Sequence, residues 1–206
     1  QGKSEFVDDR PFVRGELLVG VFYSPLAHAK IKKINLDKAI KVPGVVAAFT
    51  AADLAHNKWG TIFQDQPVLA ENEVNFVGEP IVLVAAEDAR ALREGLRLVQ
   101  VEFTELPAIL SVDSAKQQKS FIGVERKIER GSVDENLQKA ANKIEGHLVI
   151  RGADHFYLES QAVVVYPKED NQLEVHSSSQ HPTEVQHVVS HALGLSSKDV
   201  TSIVKR

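Results

Sequence analysis

Alternation of apolar and polar residues divides the first half of the chain into short strands and one amphipathic helix. Strand character is found in four segments: 17–22, 30–36, 45–50 and 81–86. Segment 30–36 breaks its alternation once, which predicts a β-bulge. Residues 88–98 place apolar side chains at the 3, 4, 3 spacing of one helical face, and strand character returns at 99–103. The strand–helix–strand unit at 81–103 predicts an α/β layer with a right-handed crossover, if its two strands are parallel in one sheet.

The second half begins after a polar stretch with weak periodicity at 116–130, which predicts a linker between two modules. Ser132 followed by Glu135 fits a capping box and predicts a helix that runs to about Asn142. The turn residues at 168–171 predict a hairpin between the strands that flank them. Strand character is found in four further segments: 144–150, 162–166, 173–177 and 200–204.

A final helix is predicted at 182–193, where the apolar residues form one stripe. Pro182 suits the first helical position, and Gly194 suits the position that closes the helix. The segment 177–184 forms the turn into this helix, so the free N–H groups at the helix start point beyond Gln180. An anion or a metal-oxo group would suit such a place. The residues alone nevertheless favour ordinary helix capping over ligand binding.

Composition narrows the class of protein. The 206 residues carry 24 Lys and Arg against 28 Asp and Glu, a net charge of −4, with no basic patch for nucleic acid or an anionic membrane. No apolar run approaches the roughly 20 residues of a membrane span, and the start lacks the layout of a signal peptide. We therefore expect a soluble, cytoplasmic protein. The absence of Cys excludes thiolate zinc sites and iron–sulfur clusters from this chain. The absence of Met, with Gln1 in first position, indicates a fragment.

Histidine is the first residue type to consider for metal binding or acid–base catalysis. His187 and His191 are an i, i+4 pair that could hold a metal, but no Glu follows His187 as zincin chemistry requires. We interpret the pair as part of a solvated helix face and expect no metal site. His155 lies beside aromatic and apolar residues, which favours a buried histidine bonded to a backbone carbonyl over a catalytic base.

Other catalytic patterns find little support. Asp154 and Glu159 are five positions apart on an extended segment and would point to opposite faces, so we do not expect an acid–base pair. Glycine-rich phosphate loops and the Gly-x-Ser-x-Gly motif of hydrolases are absent.

Two segments of the second half carry a family resemblance. Residues 155–162 (His-Phe-Tyr-Leu-Glu-Ser-Gln-Ala) and 176–186 closely resemble the molybdopterin-binding subunit of bacterial xanthine dehydrogenases, molybdenum hydroxylases related to the aldehyde oxidases. Residues 77–85 and 101–108 resemble the "a/b hammerhead" domain that opens such subunits. The resemblance implies a mixed α/β (α+β) fold in three parts. They are a hammerhead domain at 1–115, a linker at 116–131 and the incomplete start of a molybdopterin-binding domain at 132–206.

The resemblance also implies a function. Family members oxidatively hydroxylate an electron-poor carbon atom of their substrate. The resemblance implies that the substrate here is a purine such as xanthine or hypoxanthine. Gln180 matches the family glutamine that hydrogen-bonds an oxo ligand of molybdenum, so it is our one candidate cofactor-binding residue. The catalytic base and the substrate-binding residues are expected beyond Arg206, and no metal ligand is expected in this chain. The chain departs from the family pattern at 153–154, where Ala-Asp replaces the usual Gln-Glu, and at Ser179, where Thr is commoner.

The implied cofactor of the intact enzyme is molybdenum-molybdopterin, with iron–sulfur clusters and FAD carried by partner domains or subunits. Further partners would be the remainder of the molybdopterin subunit, a small-molecule substrate and other protomers of an oligomer. We expect residues 1–206 alone to bind no molybdopterin and to turn nothing over. Two alternatives stay open: oxidation of an aldehyde or another heterocycle, and a non-catalytic interaction or assembly module of the same fold.

Overall fold

The computed structural model describes residue 3 and residues 5–205, so Gln1 and Arg206, which figure in the sequence analysis, lie outside the described residues. The chain divides into two compact units. One unit comprises Gln1–Ala108 together with Leu158–Arg206, and the other comprises Ile109–Tyr157. Within the described residues, no helix has the length and apolar character needed to cross a membrane.

The described residues in the first half of the larger unit form eight strands and one α-helix. In chain order these are β1 (Leu18–Tyr23), β2 (Ala29–Asn35), β3 (Val45–Phe49), β4 (Lys58–Trp59), β5 (Gln66–Pro67), β6 (Glu73–Val74), β7 (Pro80–Ala86), α1 (Ala89–Leu98) and β8 (Gln100–Glu105). They form three sheets with the strand orders β1-β7-β3, β6-β2-β8 and β4-β5, and every pair is antiparallel.

The condition for the predicted right-handed crossover, two parallel strands in one sheet, is not met. The two strands that flank α1 lie in different sheets, because β7 pairs with β1 and β3 whereas β8 pairs with β2. Strand periodicity identifies a strand but not its partner, so the pattern fits either topology. β8 pairs back to β2 with Phe103 opposite Ile31 and Val101 opposite Ile34, and all four side chains pack on the core. The predicted bulge is confirmed between Ile31 and Lys33.

Helix α1 packs closely on the sheet formed by β1, β7 and β3. Asp88 starts it by accepting hydrogen bonds from the backbone N–H groups of Arg90 and Ala91. Glycines allow the close approach, since a Cβ on Gly20 of β1 would lie 2.8 Å from a Leu96 methyl group. The buried core beneath is formed largely by aliphatic residues of β6, β7 and their surroundings: Ala29, Ala39, Ala70, Val74, Ile81, Val82, Val84 and Val99.

The smaller unit contains α2 (Val112–Gln117) and α3 (Val133–Lys139). Helix α3 is shorter than predicted. The expected capping box is wrong, because the Ser132 side chain makes no cap hydrogen bond. The Ser132 carbonyl oxygen instead accepts a hydrogen bond from the side-chain amide of Asn136. The predicted strand at 144–150 is also wrong. No described residue of this unit forms a strand, and an isolated apolar segment has no edge with which to pair its backbone groups.

The last part of the larger unit is a compact β–β–α–β arrangement. Its elements are β9 (Val163–Pro167), β10 (Leu173–Ser177), α4 (Pro182–Leu193) and β11 (Val200–Ile203). The predicted hairpin is confirmed, since β9 and β10 are antiparallel neighbours. β10 and β11 are parallel, and α4 connects them. Gly194 ends α4 in the left-handed region at φ 68°, as predicted.

Candidate functional site

The turn from β10 into α4 is held by serine hydroxyl groups. Ser178 Oγ accepts from the Ala162 N–H at 2.9 Å and lies 3.2 Å from the Ala162 carbonyl oxygen, to which it donates. The backbone N–H of Ser178 donates to the same carbonyl at 3.0 Å. Ser179 Oγ accepts from the His181 N–H at 3.1 Å. The two hydroxyl groups therefore fix the backbone on either side of Gln180, whereas the sequence predicts only a turn there.

Gln180 is exposed, and its side-chain amide has no hydrogen-bond partner among the described residues. It lies two positions before Pro182, the first residue of α4. His181 occupies the N-cap position with φ −122° and provides no side-chain cap. Ordinary side-chain capping, which the residues alone had favoured, is therefore wrong for this helix. A group with acceptor oxygens fits this arrangement, because an unpaired amide and an uncapped helix start both donate hydrogen bonds.

A loop from the first half of the chain contacts the opposite end of α4. The backbone N–H groups of Ala55 and His56 both donate to the Ala192 carbonyl, at 3.0 and 3.4 Å. The rings of His56 and His191 are stacked with centroids 4.5 Å apart. The indole of Trp59 lies 5.8 Å from the His191 ring. The sequence pattern missed this contact, for which the single Trp in a loop segment was the only available signal.

The two histidines of the helical pair lie in different environments. His187 is exposed, whereas His191 is half-buried in the stack with His56. No group of three or more potential metal ligands occurs among the described residues. The expectation of a solvated face holds for His187 and is wrong for His191, because a loop distant in sequence covers that side of the helix.

His155 is not the buried histidine that the sequence predicted. It is exposed, and its closest ring neighbour is Tyr157 at a centroid distance of 6.1 Å. The apolar side chains around it are exposed as well, as at Phe156 with 93% of its surface accessible, so the segment has no core in which to bury an imidazole. The carboxylate of Asp154 accepts a local hydrogen bond from the Phe156 N–H at 3.4 Å. The Asp154 side chain thus stabilises the backbone two residues further along the chain.

A charged cluster on β10 and its neighbours precedes the turn. Glu174 Oε1 accepts from His176 Nε2 at 2.8 Å, and Glu174 Oε2 lies 3.1 Å from Lys168 Nζ. These hydrogen bonds, first from His176 and then from Lys168, lower the pKa of the Glu174 carboxyl group. The ring of Tyr166 packs edge-on against His176, and the guanidinium group of Arg10 lies over its face. Because the carboxylate is paired on both oxygens, its geometry supports a structural role for this cluster.

Two family profiles divide the chain between them. Residues 1–107 match the family described as "Aldehyde oxidase and xanthine dehydrogenase, a/b hammerhead domain". Residues 113–206 match the "Molybdopterin cofactor-binding domain". The chain belongs to the aldehyde oxidase and xanthine dehydrogenase family of molybdenum-containing oxidoreductases, as the resemblance had predicted. The turn that carries Gln180 lies within the part that matches the cofactor-binding domain.

Relatives and solved structures agree with this assignment. Xanthine dehydrogenase of Emericella nidulans is 37% identical over 209 residues, and aldehyde oxidase 1 of Oryctolagus cuniculus is 38% identical over 207 residues. Each match covers 100% of this chain but only 15% of the relative's length. The structure of the aldehyde oxidoreductase from Desulfovibrio gigas has a TM-score of 0.82 at 22% identity, covering 97% of this chain and 24% of that one. This likeness confirms the predicted mixed α+β fold.

Proposed function

We propose that this chain supplies one wall of the molybdenum-cofactor site in an enzyme that hydroxylates purines such as xanthine or hypoxanthine. The observation that supports it is the unpaired amide of Gln180 before the uncapped start of α4. Both donors lie in the part of the chain that matches a molybdopterin cofactor-binding domain. In this proposal the region 1–115 is the hammerhead domain, 116–131 the linker and 132–206 the start of the cofactor-binding domain.

Three residues of the turn would share the work of holding the cofactor. Gln180 would donate its amide N–H to an acceptor oxygen of the molybdenum cofactor, while Ser178 and Ser179 keep the backbone of the turn in place through the hydrogen bonds described above. The N–H groups of the first turn of α4 add a positive partial charge. When bound, the cofactor supplies the two-electron redox chemistry of the reaction. The protein's contribution at this point is to position it and to stabilise negative charge.

The remaining parts of the proposed enzyme lie outside these 206 residues. Iron–sulfur clusters and FAD would be carried by partner domains or subunits in a cytoplasmic, oligomeric enzyme, since this chain has no Cys. The catalytic base and the residues that select the substrate would belong to the remainder of the molybdopterin subunit. Oxidation of an aldehyde is a second candidate, because an aldehyde oxidase of similar identity is among the relatives.

The direct test uses the full-length protein encoded by the parent gene. Molybdenum content is measured by elemental analysis, and turnover is compared for xanthine, hypoxanthine and an aromatic aldehyde with a dye as electron acceptor. Molybdenum in stoichiometric amount with a preference for the purines would support the proposal. A preference for the aldehyde would replace the purine assignment, and a protein that carries no molybdenum would refute the cofactor role and favour the assembly module.

A further inference from the structure

The larger unit contains a half-enclosed cavity that the proposed cofactor site does not use. Its volume is about 260 Å³. Its lining comes from the β4–β5 hairpin, the turn before β7 and one residue of α4, and it includes Trp59, Gln66, Phe76, Glu79 and Val188. An apolar cavity of about 150 Å³ is enough to hold benzene. This cavity therefore has room for a single six-membered ring with a small substituent.

The unusual member of this lining is a buried carboxylate. Glu79 is only 4% exposed. One of its oxygens accepts from the Asn75 N–H at 2.5 Å, and it forms no ion pair with a described residue. No described residue that lines the cavity is basic. Burial of an ionised carboxylate is costly unless an opposite charge or several hydrogen bonds compensate for it.

The backbone holds this carboxylate in place. The Glu79 carbonyl accepts from the Ser24 N–H at 2.8 Å, and the Glu79 N–H donates to the Phe76 carbonyl at 3.3 Å. Gly78 immediately before it has φ 92°, a conformation that favours glycine. The turn that carries Glu79 is thus hydrogen-bonded to Ser24, the residue that directly follows β1. A shift of this backbone that moved the carboxylate toward solvent would break those bonds.

We propose that this cavity is a binding site for a small arylalkylamine or another single-ring organic cation. Glu79 supplies the counter-charge for the protonated nitrogen, and Gln66 supplies a further polar group at the wall. The indole of Trp59 and the ring of Phe76 offer apolar faces that suit an aromatic ring and attract a cation. Anionic ligands are disfavoured, because Glu79, the one charged residue among the described lining residues, is acidic. The bound ligand would contact both Trp59 of β4 and Val188 of α4.

The chain carries its own reporter for this site, since Trp59 is its single Trp. Benzylamine, which is protonated at pH 7, is titrated into the 206-residue chain while the fluorescence of Trp59 is recorded. The neutral probe benzyl alcohol and the anionic probe benzoate have similar size and serve as ligand controls. We expect saturable binding of benzylamine in the millimolar range, weaker binding of benzyl alcohol and none of benzoate.

Two cavity variants and one control variant assign the binding to the cavity. Glu79→Gln removes the charge and should weaken benzylamine about tenfold or more while leaving benzyl alcohol unchanged. Glu71→Gln makes the same change at an exposed carboxylate outside the cavity and should bind like the wild type. Val188→Phe fills the cavity from α4 and should abolish binding of both probes. Circular dichroism verifies the fold of each variant.

The proposal fails if benzylamine gives no saturable signal, if it binds no better than benzyl alcohol, or if Val188→Phe leaves its binding intact. Equal affinity in a folded Glu79→Gln chain also overturns it. Where Glu79→Gln does not fold, the comparison of the three probes and the Val188→Phe variant decide the question. None of these measurements involves molybdenum, so the result is independent of the proposed function.

Discussion

The indole Nε1 of Trp59 donates a long hydrogen bond of 3.5 Å to Oε1 of Glu184, 125 positions further along the chain. Together with the stack of His56 on His191, this bond attaches a loop of the first half of the chain to both ends of α4. Helix α4 begins two residues after Gln180. The helix next to the proposed cofactor contact is therefore held by residues from a part of the chain that matches a different family profile.

The histidine stack should contribute measurably to stability. Replacement of His56 by Ala removes the stack and should lower the free energy of unfolding by about 0.5–1.5 kcal/mol, the usual range for a pair of packed rings. Urea denaturation followed by circular dichroism measures the difference. His187→Ala is the control, because His187 is an exposed histidine on α4, the helix that carries the stacked His191, and its loss should change stability by less than about 0.5 kcal/mol. Equal effects of the two substitutions would contradict a contribution from the stack.

Close packing of α1 makes Gly95 intolerant of even one added methyl group. A Cβ there would lie 2.9 Å from Cγ2 of Val45 and 3.2 Å from Cγ1 of Val84. Gly95→Ala should therefore destabilise the chain by about 1–3 kcal/mol through overpacking, partly offset by up to about 1 kcal/mol of better helix propensity. Thermal unfolding measures the net loss. Arg93→Ala at an exposed position of the same helix should have little effect, and a Gly95→Ala chain more stable than the wild type would contradict the packing geometry.

The sequence predicts an element well where one stretch of chain contains both the apolar pattern of the element and the residues that start and end it. Helix α4 has its apolar stripe, Pro182 at the start and Gly194 at the end, and the observed bounds are the predicted ones. The segment 144–150 has an equally apolar pattern but forms no strand, because strand formation depends on a partner edge that the pattern does not specify. The partner of β8 was missed for the same reason.

The candidate site shows the same division between local and long-range information. Gln180 could be singled out because the motif around it is local. The serine bonds to Ala162 and the contacts of His56 and Trp59 with α4 depend on residues that only the fold brings together. The burial of Glu79 could not be predicted either, since its charge gives no sign of an apolar environment.

His28 should titrate above its ordinary range. Its Nδ1 lies 2.8 Å from the Pro107 carbonyl oxygen and its Nε2 lies 2.9 Å from Glu73 Oε1, so both ring nitrogens face acceptors. These contacts, first Pro107 and then Glu73, raise the pKa of His28 above 6.5. A raised pKa means that the protonated ring favours the folded state. This stabilisation is fully present below the unfolded pKa and is lost as pH rises through the folded pKa.

The His28 imidazole resonances in NMR spectra recorded against pH give the midpoint directly. A midpoint above 6.5 is expected in the wild type, and Glu73→Gln should lower it, because the carboxylate partner loses its charge. The destabilisation caused by His28→Ala should be larger at pH 6 than at pH 9. A wild-type midpoint at or below 6.5, or a His28→Ala effect that grows with pH, would contradict the double hydrogen bond.

The proposed role of Gln180 can be separated from a structural one in the intact enzyme. Gln180→Ala removes an exposed amide that has no hydrogen-bond partner among the described residues, so the fold and the molybdenum content should be unchanged. Loss of one charge-assisted hydrogen bond of about 1.5–3 kcal/mol should slow turnover per molybdenum roughly ten- to a hundredfold, if the bond acts in the transition state.

Gln186 provides the matched control, because its amide Nε2 donates to the backbone carbonyl groups of Ser197 and Val200 at 2.9 and 2.7 Å. Gln186→Ala should lower the melting temperature and leave the rate per molybdenum unchanged, the reverse of the pattern expected for Gln180→Ala. Rapid-mixing measurement of substrate-driven reduction, with molybdenum content determined on the same samples, distinguishes the two. A Gln180→Ala enzyme that is fully loaded and reduced at the wild-type rate would show that this amide does not act on the cofactor.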